Sequence, residues 1–508
     1  MLRLNPLVAL LVSSACLSTQ AAAAPAVQGP ESVQDWYRAG ASFIQKTRQL
    51  QQTDLRAHAK NVILFVGDGM GISTLTAARI LEGQLKGKAG EENRLSFETF
   101  PYTALSKTYS WDQQTSDSAP TMTAMATGYK AREGMLSVNH TTARGECDAG
   151  KVAANSLTTI LETAAERGKD TGIVSTARIT HATPAALYAH TPVRDWEGDS
   201  NLPAGCGVKD IARQLIEVNP TVRQSLKVAL GGGRSYFMPR TATDPEYATT
   251  QGRRADGRDL TAEWVSTRGP RATYVWNKDQ FKAANPDRTD YLLGLFEPSH
   301  MQYEADRTSD AAGEPSLKEM TGKAIRMLSK NPKGYFLHVE AGRIDHGHHA
   351  GNASRALQDT IELSDAVRAA MKMTNPAETL IIVTADHSHV FTIAGYPHRG
   401  NNILGLVSDV PAVDGTPTTT VLAKDGLPYT TLGYQNGPGA VAPRIDLSSV
   451  DTTALSFMQP ALVPLSSETH AGEDVAIFAR GPKGFMVHGS MEQNWIYHVM
   501  RKAFGFGF

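Results

Sequence analysis

The chain is predicted to be an α/β protein, a doubly wound and largely parallel sheet flanked by helices, and three observations predict it. Near-continuous apolar runs recur at Val62 to Val66, Gly172 to Ser175, Val228 to Leu230, Tyr335 to Val339, Leu380 to Thr384 and Val475 to Ala479. Helical stretches separate most of them, and strands apolar on both faces belong to a sheet covered on both sides. The run ends also share a chemistry: the first ends in Gly67-Asp68-Gly69, the fourth in Glu340 and the fifth in Ala385-Asp386-His387. Open sheets of this kind bind ligands beyond the carboxyl ends of their strands. Those acidic strand ends therefore mark one edge as the candidate active edge.

At 508 residues, net charge −1 and 41% apolar content, the chain can bury a large core, as one domain with insertions or as two or three. It carries no basic stripe and no block of like charge, which argues against nucleic acid as a partner. Arg3, the apolar stretch Pro6 to Val12 and the Ala-rich stretch ending at Pro25 read as a secretory signal peptide over residues 1–24, too short to span a membrane. Lipid attachment at Cys16 is the alternative, but Ser13 stands where such signals usually carry Leu. Residues 25–58 form an arm, with Val33, Trp36, Tyr37, Phe43 and Ile44 at helical spacing, that packs on a partner subunit or on its own chain. With the signal removed, Cys147 and Cys206 remain, and in an exported chain a disulfide is the natural inference, two free thiols the alternative. The stretches of about 239–315 and 396–468 break the α/β rhythm and read as insertions on a catalytic domain of 59–508. Ala503 to Phe508 is too short to act as an anchor.

The densest chemistry lies in Tyr335 to Ala350, where a strand-like run reaches Glu340 and a Gly-containing turn delivers Asp345, His346, His348 and His349. On a helical turn Asp345 and His349 share one face and can grip one cation. A solvated, His-rich loop is the plain alternative. Further ligand types arrive at Asp386-His387 after a strand and at His470 before the last one. Asp68, Asp386 and His387 with the Ser118 oxygen can complete one zinc site. Asp345, His349 and His470 can form a second with an open position, and Asp68 can bridge to a third ion with Glu340 and Thr183.

Ser118 follows Asp117 and precedes an Ala/Met/Thr segment with Pro120 in its first turn, which places it at a helix N-terminus. Free amides and the positive end of the helix dipole favour an anion there. No Gly-x-Ser-x-Gly elbow surrounds Ser118, so a metal is needed to ionise its hydroxyl. Arg194 offers a planar fork that matches two phosphate oxygens, unless Asp195 or Glu197 occupies it. Hydrolysis of a phosphate monoester demands acceleration approaching about 10²¹-fold, and one general base supplies only about 10² to 10⁴. Paired cations are the known way to supply the rest.

NVILFVGDGMG, TSDSAP, HATPAALYAHTPVR, VEAGRIDHGHHAGN, VTADHSHVF and ETHAGEDVAIFARGP together resemble the alkaline phosphatases, and the animal-type branch most, from about residue 60 to 500. The resemblance implies a homodimer that hydrolyses small phosphate monoesters through a phosphoserine intermediate. By matching position it makes Ser118 the nucleophile and Arg194 the phosphate clamp. Two Zn2+ are held by Asp345, His349 and His470 and by Asp68, Ser118, Asp386 and His387, and one Mg2+ by Asp68, Thr183 and Glu340. His181 and His346 tune the magnesium shell without ligating. Ca2+ is implied at Glu246, the Phe296 carbonyl, Glu297 and Glu314, in a loop longer than the family pattern. The two insertions resemble a calcium-bearing subdomain and a crown at the dimer. The chain is expected to be secreted or periplasmic, without a membrane span. A phosphodiesterase or sulfatase of the same superfamily, and a non-catalytic phosphate- or metal-binding protein, are the competing readings.

Overall fold

The computed structural model describes residues 58–411 and 418–506, so the expected signal peptide, Cys16 and all but the last residue of the arm lie outside the described residues. The strands are β1 (Asn61–Gly67), β2 (Tyr102–Lys107), β3 (Asp170–Arg178), β4 (Leu226–Gly232), β5 (Ala272–Val275), β6 (Tyr291–Leu295), β7 (Tyr335–Ala341) and β8 (Thr379–Ala385). They continue as β9 (Ser388–His389), β10 (Phe391–Ile393), β11 (Leu432–Gly437), β12 (Ala461–Pro464), β13 (His470–Ala471), β14 (Val475–Arg480) and β15 (Gly489–Glu492). Ten of them make the central sheet, in the order β15-β2-β14-β8-β1-β7-β3-β4-β6-β5.

From β8 to β5 every pairing is parallel, whereas β14 runs antiparallel to both β8 and β2. All the apolar runs seen in the sequence are strands of this sheet. Alternate residues serve opposite faces: Val62, Leu64 and Val66 enter one core and Ile63 and Phe65 the other. Each such fully buried side chain contributes about 1.5–3 kcal/mol. That two-sided burial is why the strands read as continuous apolar runs. β2 did not stand out because its burial alternates along its length.

The 239–315 stretch lends β5 and β6 to the sheet edge, and Ala272, Val275, Leu292, Leu293 and Leu295 are buried there. These strands are too short, and too closely flanked by polar residues, to show as runs. The 396–468 stretch contributes β11 and β12, which join β10 in a separate three-stranded sheet.

Cys147 and Cys206 are joined in a disulfide across a sequence separation of 59, beside a small apolar cluster that includes Met135, Val138, Trp196 and Val208. Replacing both cysteines with alanine is expected to lower stability by about 4 kcal/mol on the chain-entropy model. Urea unfolding of the oxidised protein and the double variant measures it, and coincident curves would refute it.

Asp359, on the helix Ala353–Met373, is buried and accepts a hydrogen bond from the Glu304 N–H at 3.1 Å. Burial pushes its carboxyl up to about 8. An unfolded aspartate titrates near 3.9, so between pH 4 and 8 the folded chain keeps a proton that the unfolded chain has released. The group's contribution is therefore fully present below about pH 4 and is lost as pH rises through 8. Asp359→Asn cannot ionise, and it is expected to gain a few kcal/mol on the wild type over that interval. Urea midpoints for both proteins across the pH range check this; parallel profiles would show that Asp359 ionises freely in the fold.

Candidate metal centre and nucleophile

Strand register explains how distant acids meet. β1 lies between β7 and β8, with Val66 level with Glu340 and Gly67 level with both Ala341 and Ala385. Asp68, Glu340 and Asp386 consequently emerge side by side at one end of the sheet. β13 then pairs antiparallel with β9, setting His470 opposite His389.

Ser118 opens the helix Ser118–Thr127, with Asp117 as its cap and Gly128 closing it at φ 84°. Pro120 falls in the first turn, where its missing N–H costs no helix bond. The Ser118 hydroxyl lies 3.4 Å from Asp68 Oδ1 and 3.2 Å from His387 Nε2. Asp386 shares that neighbourhood: ligand atoms of Asp68, Asp386 and His387 all lie within 4.8 Å of one another.

A second group gathers Asp345, His349, His389 and His470 under the same limit. Asp345 and His349 face each other on the helix Arg343–His349 at 3.2 Å, and Asp345 Oδ1 lies 2.9 Å from His389 Nε2 and 3.3 Å from His470 Nε2. A third gathers Asp68, His181 and Glu340. Thr183 is buried close by and Ser175 bonds Glu340.

His348 stands apart from all of these. The helical turn carries it to another face, where Thr74 and Tyr434 each bond its ring at 2.9 Å. It is a satisfied core histidine and not one of the clustered ligands the sequence suggested.

The electrostatics show what the centre needs. Burial first, then the charges of Asp386, Asp345 and Glu340, push the Asp68 carboxyl well above the usual range. Burial also raises Glu340 to about 7 and raises Asp386. Asp345 moves the opposite way: burial opposes it, but His349, His389 and His470 hold it well below the usual range. Asp68 Oδ2, Thr183 Oγ1, Glu340 Oε1 and Asp386 Oδ2 are buried without a hydrogen-bond partner among the described residues. Orphaned acceptors on buried acids are costly unless a cation meets them. Carboxylate, hydroxyl and imidazole are the donors that zinc and magnesium take, so the residues present fit divalent ions.

Arg194 bonds Asp117 at 2.7 Å and His181 at 3.0 Å. Glu197, a partner that the sequence left open for it, is instead held by Arg178 through bonds of 2.8 and 2.6 Å. His181 and His346 lie together with His300. Burial first, and neighbouring positive groups second, hold His181 and His346 well below the ordinary imidazole range.

Some 239–315 acids form an outlying group of Glu246, Glu297 and Asp310 within 4.8 Å of one another. Burial raises Glu297 to about 7 and Asp310 to about 6. The expected fourth ligand, Glu314, is not in this set. Its Oε1 accepts the Gln302 N–H at 3.0 Å, its Oε2 is buried without a hydrogen-bond partner among the described residues, and burial first, then the charges of Glu297 and Asp310, push its carboxyl well above the usual range. His300, Asp117 and His389 were not assigned from sequence. Only His389 had a usable signal there, since two positions beyond His387 it falls on the same side of an extended segment.

Residues 59–506 match the family described as Alkaline phosphatase. The chain is 46% identical over 488 residues to the tissue-nonspecific alkaline phosphatase of Gallus gallus, covering 93% of this chain and 90% of that one. The Homo sapiens form is 44% identical over 485 residues, with 93% and 89% covered. Among solved structures, the Thermus thermophilus alkaline phosphatase is similar with a TM-score of 0.63 at 23% identity, covering 90% of this chain and 94% of that one. A mutant of the TAB5 alkaline phosphatase with Mg bound in the M3 site is similar with a TM-score of 0.58 at 22% identity, covering 89% and 99%. At such identities the structural likeness speaks to the fold.

Proposed function

The chain belongs to the alkaline phosphatase family, is metal-dependent, and hydrolyses phosphate monoesters; from that premise we propose how its own residues divide the work. Arg194, held in position by Asp117 and His181, clamps two oxygens of the substrate phosphate. Ser118, presented at the start of its helix, attacks phosphorus. The new bond joins Oγ to phosphorus as the ester oxygen leaves, and that oxygen is released as alcohol after taking a proton. Water then breaks the phosphoserine bond, freeing inorganic phosphate and restoring the hydroxyl. The Ser118 proton has an acceptor within reach in Asp68 Oδ1 at 3.4 Å.

Asp345, His349 and His470 would hold one zinc, Asp68, Asp386 and His387 with Ser118 a second, and Asp68, Thr183 and Glu340 a magnesium. When bound, these ions supply positive charge where oxygens become negative and lower the pKa of hydroxyl and water. His389, tied to Asp345 at 2.9 Å and to Glu468 at 2.5 Å, orients the carboxylate. A calcium ion would take Glu246, the Phe296 carbonyl, Glu297 and Glu314, with Asp310 beside them. A homodimer exported from the cell, with 396–468 at the subunit interface, completes the proposal.

The observation that carries it is the convergence of the Ser118 hydroxyl with buried acids that each keep one oxygen without a partner among the described residues. Acid quenching during turnover of a phosphorus-labelled monoester tests it. Label is expected on the peptide that carries Ser118, and label on any other residue would overturn the assignment.

A further inference from the structure

The segment that carries Arg194 is zipped antiparallel to the segment that follows the helix of Ser118. Leu136 and Thr191 exchange backbone bonds of 2.9 and 3.0 Å, and the Arg194 N–H reaches the Gly134 carbonyl at 2.7 Å. At the far end His190 Nδ1 meets the Ser137 carbonyl at 3.0 Å. The ribbon formed by 134–138 and 190–194 is tied to the nucleophile as well as to the clamp. The Gly134 N–H lies 3.4 Å from Asp117 Oδ1, and the Ser137 N–H donates to Thr123 Oγ1 at 2.9 Å on the helix Ser118–Thr127.

The far end of the ribbon is strained. Ser137 has a φ of 48°, in the left-handed region that a residue with a Cβ enters only at a cost. Such a conformation persists where its surroundings hold it. Three bonds do so here: from the Ser137 N–H to Thr123, from its hydroxyl to the Ala186 carbonyl at 2.5 Å, and to its carbonyl from His190.

His190 is gripped from its other side by Glu162 of the helix Ile160–Glu166, with Nε2 at 3.2 Å from Oε1. A carbonyl can only accept, so Nδ1 carries a proton. Glu162 accepts the Thr159 N–H at 2.9 Å through its other oxygen, as the ionised member of a capping box, so Nε2 carries a proton too. The ring is an imidazolium with an acceptor at each nitrogen. Burial opposes that charge, but Glu162 and the Ser137 carbonyl outweigh it and hold the ring above the ordinary imidazole range.

The other groups facing the ring are already engaged. Across a cavity of about 200 Å³, Lys209 and Arg213 each pair with Glu217 at 2.9 Å, and the Tyr188 hydroxyl turns to the Ile179 carbonyl at 2.8 Å. The His190 N–H donates to Gln214 Oε1 at 2.9 Å. Ser137, Glu162 and Gln214 belong to none of the metal-ligand groups, and with 19% of its side chain exposed His190 can exchange its proton with water.

We infer that His190 is a positioning residue: held between Ser137 and Glu162, it fixes the ribbon that carries Arg194 and so sets the affinity for phosphate. The inference rests on Arg194 being the phosphate clamp. A neutral ring has one N–H and keeps only one of the two bonds. As pH rises through the ring's own pKa the second bond is lost, the usual sense for a histidine that gains an acidic partner in the fold. The ribbon then loosens at its strained end, and the clamp with it.

Competitive inhibition by inorganic phosphate tests this, measured against p-nitrophenyl phosphate at pH 6 and pH 10 in the metal-loaded wild type, in His190→Gln and in Glu162→Gln. Glutamine at 190 can keep one bond, as the neutral ring does, and glutamine at 162 removes the charge that holds the second proton. Each variant is expected to bind phosphate about three- to tenfold more weakly than the wild type at pH 6, a share of a charge-assisted hydrogen bond, and to come within about twofold of it at pH 10. KM is expected to rise with the inhibition constant at pH 6 while kcat holds. Taking the ratio of variant to wild type cancels the titration of phosphate itself. Equal affinities at both pH values would make His190 idle, and a loss of the same size at both would make it a packing residue; either overturns the inference. Glu162→Gln serves alone if the 190 variant does not fold. A failure of the clamp reading would look different, since Arg194→Ala would then leave phosphate inhibition intact.

Discussion

Ser118→Ala is expected to lower kcat for p-nitrophenyl phosphate by a factor on the order of 10⁴ to 10⁶, the scale at which loss of a covalent nucleophile is felt elsewhere. Alanine suits a helix start and leaves the Asp117 cap on the Ala119 N–H in place, so the fold is expected to survive. The variant keeps Arg194 with both its partners, and substrate affinity is expected to persist. Stopped-flow turnover beside equilibrium binding of inorganic phosphate separates the two effects. A variant that keeps a tenth of wild-type kcat would remove Ser118 from the chemistry. One that loses phosphate affinity and kcat together would make it a structural cap.

Chelation is expected to abolish activity and also to weaken the fold. Asp68, Glu340, Asp345 and Asp386 are buried together, and burial with mutual repulsion already raises Asp68 and Asp386. Removing the ions leaves those acids to take up protons or to repel one another. An ion present at a hundred times its Kd stabilises by about 2.7 kcal/mol, so loss of several is expected to lower the unfolding midpoint visibly. Activity is expected to return with zinc and magnesium together and only partly with either alone. Thermal unfolding and turnover, measured after dialysis against chelator and again after each addition, supply both readings. Full activity in rigorously metal-free buffer would refute the metal-centred mechanism.

The two-sided burial of β1, β7 and β8 made those strands legible as apolar runs, and their acidic ends were legible because strand ends in such sheets line a site. The Asp345–His349 pairing was equally legible, since helical spacing alone puts those residues on one face. Helical spacing also separates His348 from them, but naming ligand types without turning the helix had counted it in. The two outermost strands at each side of the sheet, β15 and β2 and β6 and β5, were obscured by their alternating or abbreviated burial.

The sequence by itself determined which residue types could hold cations and from which strand ends they project, because backbone periodicity is a local property. Only the tertiary structure decided that Asp310 joins Glu246 and Glu297, that His389 backs Asp345, that Arg194 turns to Asp117, and that His300 meets His181 and His346. Those contacts depend on the course of loops and on pairings such as β9 with β13, 82 residues apart from Ser388 to His470. No local periodicity encodes them: long-range packing fixes where a loop side chain ends up, and its spacing along the chain does not.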